Sequence, residues 1–291
     1  MTSRKDPYRW AARGFIAPGV LLVAVLLYLP LLWTVFLSFT QYDGLSTPKF
    51  VGISNYIAMF GDSNFLDSMF NTLLWVAGTL IVPVGIGLAL ALATFGLKGG
   101  TWLRLPFLIP YAISGIGVGL IWSFVLSDGG ALDQALGLFG IPHGARWLLD
   151  APLNTIVMII AASWQGVGVN ALLFTIGLQS IPKEPLEAAR IDGAGGIRLF
   201  TTMLWPMLRP LTTVVIGLSI VGSLKTFDIV LGMTDGGPGR VSETLALTMY
   251  NDTFVNSQYG LGSAVAVFLT VVTLIASILY LRQQLSSTNA I

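Results

Sequence analysis

Ile181-Pro182-Lys183-Glu184-Pro185-Leu186-Glu187-Ala188-Ala189-Arg190-Ile191-Asp192-Gly193-Ala194-Gly195-Gly196 is a polar island between two strongly apolar segments. Pro185 suits the first turn of a helix, where its missing N–H leaves no bond unmade. Glu184 and Glu187 put negative charge near the positive end of the helix dipole. Gly193 supplies a stop, and Gly195 and Gly196 break the backbone again. The pattern predicts a helix of about two turns, Pro185 to Gly193, with both ends defined. Ala188 and Ala189 give it a small-residue surface that another protein can approach closely. Beyond it, Phe200, Met203, Leu204, Met207 and Leu208 fall at i, i+3, i+4, i+7 and i+8, one apolar stripe of an amphipathic helix.

The flanks decide what surrounds the island. Over the 291 residues, 54% are apolar and only 10% charged, with mean hydropathy +0.79. Soluble domains carry roughly 25% charged residues, and crossing a bilayer takes about 20 apolar ones. The chain reads as an all-α, polytopic membrane protein. Spans are predicted near 15–39, 68–95, 103–126, 152–179, 211–233 and 259–281, six in one transmembrane domain, with the loop at 180–210 between the fourth and fifth. The first is too long for a signal peptide and ends in Phe36-Leu37-Ser38-Phe39, so it reads as a retained span. Pro30, Pro83, Pro106 and Pro110 lie in or at the ends of spans, where they serve as local kinks or as hinges.

Charge asymmetry orients the spans. Arg4, Lys5, Arg9, Arg13, Lys98, Arg104, Lys183, Arg190, Arg198, Arg209 and Arg282 fall on one side. Lys49, Arg146 and Arg240 fall on the other. Positive residues mark the cytoplasmic face, which places both termini and the Glu187 loop inside. The net charge of +1 and the lack of a basic run give no nucleic-acid site. With no cysteine there is no disulfide framework, thiolate nucleophile or thiolate metal site. The single histidine, His143, reads as a solvated loop residue rather than a metal ligand or base.

Polar residues in the spans mark an interior or a wet cavity, because a charge at bilayer depth costs roughly 2.5–3.5 kcal/mol on insertion scales. Lys225 and Asp228 stand three apart in the fifth span and are expected on one helix face, with Phe227 beside them. They read as substrate groups or as a structural pair locking helices together. The fourth span carries Trp164, Gln165 and Asn170 among Gly166, Gly168 and Ala171, and the third holds Tyr111 and Ser114. Aromatic faces with amide and charged groups suit a sugar, which offers C–H faces to stack and hydroxyls to bind. Ordinary packing is the alternative for Tyr111 and Trp164.

The island resembles the cytoplasmic loop of type I ABC importer permeases, which reads E-A-A, three residues, G, nine residues, I-x-L-P. Here Glu187-Ala188-Ala189 is followed by three residues, Gly193, nine residues and Met203-Leu204-Trp205-Pro206. Met203 and Trp205 keep apolar character without identity. Asp192-Gly193-Ala194 and the Thr234-Asp235-Gly236-Gly237-Pro238 run are similar to the carbohydrate, maltose-type branch. The resemblance covers about 152–282; earlier spans match in topology and in Leu108-Ile109-Pro110-Tyr111.

The resemblance implies a coupling helix made by Pro185, Glu187, Ala188, Ala189, Asp192 and Gly193. It places Gln165, Gly166, Val169, Leu224 and Lys225 near the family's sugar-contacting positions. Lys225 departs from the uncharged residue often found there, which leaves the identity of the sugar open. It also implies a second homologous permease, a pair of ABC ATPase subunits holding the ATP and Mg, and an extracytoplasmic sugar-binding protein. No cofactor and no metal are expected on this chain. A G-x-x-x-x-G-K-[ST] loop is absent: Gly217 and Gly222 precede Lys225-Thr226 with two residues too many. ATP hydrolysis is therefore expected on another polypeptide in a prokaryotic plasma membrane. The rival readings are an ABC permease for a polyol, glycerol-phosphate, peptide or ion, a secondary transporter using Lys225 and Asp228, and an integral membrane enzyme.

Overall fold

The computed structural model describes residues 9–141 and 146–288, with side chains at 13–141 and 146–284. His143, Arg4, Lys5 and the Arg9 side chain lie outside the described residues. In chain order the helices are α1 (Arg9–Val23), α2 (Leu29–Ser38), α3 (Ser54–Gly61), α4 (Ser63–Thr94), α5 (Gly100–Leu108), α6 (Gly115–Leu126) and α7 (Ala131–Leu138). Then come α8 (Leu153–Gln179), α9 (Lys183–Ile191), α10 (Gly196–Leu199), α11 (Trp205–Leu224), α12 (Asp228–Thr234), α13 (Leu245–Tyr250) and α14 (Tyr259–Thr288). A two-stranded antiparallel ribbon pairs β1 (Thr40–Gln41) with β2 (Lys49–Phe50). Six segments are long and apolar enough to cross a membrane: Arg13–Ser38, Ser63–Thr94, Gly115–Leu138, Leu153–Gln179, Gly196–Leu224 and Tyr259–Gln284. They leave Leu26, Leu32, Ile81, Phe124 and Leu274 more than half exposed, a surface suited to lipid rather than water.

Two of the expected spans are corrected. The third, expected over 103–126, is broken: α5 passes into a short 3₁₀ turn, Ile109–Ala112, and α6 starts afresh at Gly115. Pro110 cannot donate to continue an α-helix, and Ser114 caps the new one, its Oγ accepting from Gly117 N–H at 3.2 Å. The fifth, expected over 211–233, begins earlier, at Gly196, and its α-helix stops at Leu224. Residues 225–227 are non-helical and α12 begins at Asp228.

The chain forms two compact units. The smaller comprises residues 9–61 and 249–268 of those described. In it α1 and α2 are joined through a π-turn, Ala24–Tyr28, ahead of Pro30. Asn55 closes the loop by donating to the Ser38 and Thr40 carbonyls, at 2.9 and 2.8 Å.

The larger unit, residues 62–248 and 269–288, contains the loop and most of the polar spans. Asp62 starts α4 by accepting from Asn64 N–H at 3.0 Å. α4 packs along α8, and α11 lies against both. Gly87 permits the α4–α8 approach: a Cβ there would stand 2.6 Å from Asn170 Cβ and 2.9 Å from Ala171 N. Close backbone approach through small residues is how helices associate where no water is available to drive them together. A core of Val84 and Ala91 (α4), Phe174 and Leu178 (α8), Leu204, and Leu208 and Val215 (α11) fills the space between them.

Candidate functional site

The site has two parts, the loop at α9 and a cavity among α4, α8 and α11. The loop helix starts at Lys183, two residues before the expected Pro185, and ends at Ile191. Its end is built by hydrogen bonds from Gly193 N to Arg190 O and from Ala194 N to Ala189 O, at 3.1 and 2.9 Å. This pair of bonds is the Schellman closure, and it requires a left-handed residue after the cap. Asp192 is the cap and Gly193 has φ +79°.

One face of α9 is anchored. Leu186 is buried with Ile181 in the same core that joins α4, α8 and α11. The opposite face is free: Glu187, Ala188, Asp192 and Gly193 are exposed, while Pro185 and Ala189 are half-buried. The apolar stripe beyond the loop is only partly as expected. A π-turn, Phe200–Leu204, inserts an extra residue into the helical repeat. Leu204 and Leu208 are buried at 6% and 1%, while Met207 is rotated out to 40% exposure.

The cavity has a volume of about 570 Å³. Of the expected pathway residues, Tyr111, Gln165, Gly166, Val169, Asn170, Lys225, Phe227 and Asp228 line it. Three others do not. Ser114 is occupied as the cap of α6. Trp164 stands edge-on to Trp122, with ring centroids 6.1 Å apart. Leu224 is 5% exposed at the end of α11 and faces into packed structure.

The amides in the cavity wall are partly committed. Gln165 Nε2 donates to the Ile113 carbonyl at 2.7 Å, tying α8 to the break that precedes α6. Asn170 Nδ2 donates to Gly166 O, one turn back, at 2.9 Å. Gln165 Oε1 and Asn170 Oδ1 remain as acceptors.

Lys225 and Asp228 do not share a helix face, because α11 ends at Leu224, ahead of Lys225, and α12 begins at Asp228. They make no ion pair with each other, and both are exposed at the cavity wall. The reading of a structural lock between them is therefore corrected. The period of three assumed a continuous helix that residues 225–227 interrupt.

Sequence reasoning missed other wall residues. Trp75 and Thr79 of α4, and Ser219 and Ser223 of α11, also line the cavity. Trp75 is 2% exposed and its Nε1 has no hydrogen-bond partner among the described residues. Nothing in its local pattern separates it from an apolar span residue. A second missed group lies past α12. Glu243 is fully buried and receives Arg240 Nε and Nη2 at 2.8 and 2.9 Å and Thr248 Oγ1 at 2.6 Å. Asn71 Nδ2 donates to the Val241 and Glu243 carbonyls at 2.8 and 3.0 Å, so α4 is clamped to this loop.

Six segments long and apolar enough to cross a membrane, with a polar cavity among α4, α8 and α11, fit a membrane permease. The comparisons agree. Residues 81–285 match the family described as "Binding-protein-dependent transport system inner membrane component", and the chain belongs to it. It is 35% identical over 266 residues to the sn-glycerol-3-phosphate transport system permease protein UgpA of Agrobacterium fabrum, covering 89% of each. It is 33% identical over 290 residues to the multiple sugar-binding transport system permease protein MsmF of Streptococcus mutans, covering 97% and 98%. Its fold matches a chain in the crystal structure of a bacterial ABC transporter that imports the acidic polysaccharide alginate. The TM-score is 0.82 at 18% identity, over 94% of this chain and 95% of that one.

Proposed function

We propose that this chain is one of two homologous permease subunits in an ATP-driven importer of a sugar. It forms half of the translocation pathway and catalyses no reaction itself. ATP and Mg are held by a pair of separate ATPase subunits, and an extracytoplasmic binding protein delivers the cargo. Both chain ends and α9 lie on the cytoplasmic side, as the Lys and Arg distribution favours.

The observation that carries this reading is mechanical. The core that buries Leu186 of α9 runs through α4, α8 and α11 and includes Val215, which also lines the cavity. Movement imposed on α9 is thus passed to the cavity wall through close-packed side chains rather than through a loop. ATP favours the state in which the two ATPase subunits are together, and the permease pair follows to its outward-facing form. Glu187 supplies a charged contact on the exposed face of α9. Within the cavity, Tyr111 and Phe227 offer ring faces, and Gln165, Asn170 and Ser219 offer hydroxyl partners. The names of MsmF and of the alginate importer support a carbohydrate cargo.

A second reading has an observation of its own. Lys225 is exposed in the cavity with no ion-pair partner among the described residues, which suits an anionic cargo such as glycerol phosphate, the substrate named for UgpA. Uptake by cells producing the whole importer separates the two. The sugar reading predicts ATP-dependent uptake of a labelled oligosaccharide that excess glycerol phosphate leaves unchanged. Uptake of glycerol phosphate alone would overturn it in favour of the second.

A further inference from the structure

Beside α9 lies a second pocket, of about 420 Å³, walled by the α4–α5 turn and the α8–α9 turn. Lys98, Arg104 and Lys183 line it, and no Asp or Glu does. Glu184, the neighbour of Lys183, is exposed and lies outside the lining. None of the three cations forms an ion pair among the described residues. Arg104 Nε is buried without a hydrogen-bond partner, although buried polar groups are rarely left so.

The backbone adds to the same field. Gly100 and Lys183, the first residues of α5 and α9, both line the pocket, and neither helix has a side-chain cap. Two uncapped helix starts and three unpaired cations all favour an anion with several acceptor oxygens. The surrounding surface states where that anion comes from. Leu97, Trp102 and Leu103 are exposed to 53%, 76% and 55% on the same segment. Apolar chains beside a basic pocket, with a tryptophan among them, are the surface of a bilayer interface.

We infer that this pocket binds the phosphate headgroup of an anionic phospholipid of the inner leaflet, with the acyl chains lying along Leu97, Trp102 and Leu103. The pocket shares Ile181 and Leu186 with the core that holds α9. A bound lipid therefore braces the start of the loop helix where it emerges from the spans. The inference rests on the inward orientation of α9 and on no property of the cargo.

The test is native mass spectrometry of the whole importer in mild detergent, with phosphatidylglycerol or phosphatidylethanolamine added. Phosphatidylglycerol should be retained at least about fivefold more than phosphatidylethanolamine. Lys98→Gln, at an exposed position, should reduce that retention about fivefold, as should Arg104→Gln. Inorganic phosphate at millimolar concentration should not displace the lipid. Equal retention of both lipids, or retention unchanged in Lys98→Gln, overturns the inference. Displacement by inorganic phosphate assigns the pocket to a free anion and overturns the lipid. Binding seen only after the ATPase subunits are stripped assigns the pocket to their acidic side chains and also overturns it. Retention is read without transport, so an error in the cargo assignment leaves this result intact.

Discussion

Arg240 and Glu243 form a two-bond ion pair, Nε to Oε1 at 2.8 Å and Nη2 to Oε2 at 2.9 Å, in which the carboxylate side is buried and the guanidinium partly exposed. With Thr248 Oγ1 on the same carboxylate, and Asn71 on the adjacent carbonyls, this pair holds the segment after α12 to α4. Arg240 itself sits at φ +75° and Gly236 at φ +79°, so the turn is shaped around the pair. Removing one member of a buried pair leaves the other charge without compensation. Arg240→Ala strands the fully buried Glu243 carboxylate and should therefore lower stability by about 3 kcal/mol. Glu243→Ala should lower it less, since solvent reaches the partly exposed guanidinium that it leaves behind. Thermal unfolding in detergent checks the order, and two equal small shifts would contradict it.

Lys225 distinguishes the two cargo classes. Lys225→Gln removes the free ammonium from the cavity wall and keeps a polar side chain of similar reach. For a neutral sugar the apparent KM should change by less than about threefold. For a phosphorylated cargo it should rise more than tenfold, since a charge-assisted hydrogen bond is worth about 1.5–3 kcal/mol. Uptake kinetics with each labelled compound decide.

Trp75 presents a related case. Its Nε1 is buried and unpartnered in a residue that lines the cavity, which suits a donor reserved for cargo. Trp75→Phe keeps an aromatic filler and deletes the donor. The expected result is a KM raised about five- to tenfold with the assembly intact, in line with one lost hydrogen bond. An unchanged KM would return Trp75 to simple packing.

α9 is testable at two positions with different outcomes. Glu187→Arg reverses an exposed charge and should leave folding unchanged while ATP hydrolysis loses its dependence on cargo. Leu186→Ala removes a buried anchor, and large-to-small changes of this kind cost about 2–5 kcal/mol. It should loosen α9 and lower both transport and yield. Full transport by the Glu187→Arg importer would remove that side chain from the coupling path.

One acid titration is also predicted. Asp43 is exposed, and hydrogen bonds from the backbone and hydroxyl of Ser46, then from Leu45 N–H, lower its pKa from 3.8 to about 2. Because the folded value is the lower, its contribution to the 43–46 turn is complete above the unfolded value. It is lost as pH falls through about 2. Carbon NMR of the labelled carboxyl should show that midpoint, and a midpoint near 3.8 would mean the turn is open.

Much of this was readable in the residues, for reasons that differ by element. The six spans follow from long apolar stretches, a signal few other structures produce. The end of α9 was legible because Gly193 is the residue that a left-handed closure demands. The breaks at Ile113 and at residues 225–227 were not, because a proline-containing or charged stretch inside an apolar run is compatible with an unbroken helix. That single fact explains the shared helix face wrongly expected of Lys225 and Asp228. Trp164 and Trp75 show a different limit. Both are tryptophans in spans, and only the packed structure turns one toward Trp122 and sets the other in the cavity wall. Glu243 lay in a loop, where buried charge has no local signature.

The central claim is that α9 joins this permease to a separate ATPase. The most direct measurement is purification of the chain from its native membrane in mild detergent, followed by mass spectrometry of what accompanies it. The account predicts a second six-span permease of the same family and an ATPase that carries a phosphate-binding loop, the ATPase alone being lost when Glu187 and Ala188 are replaced by bulky basic residues. Recovery of the chain alone or as a homo-oligomer, with transport driven by an ion gradient and indifferent to ATP, would contradict it.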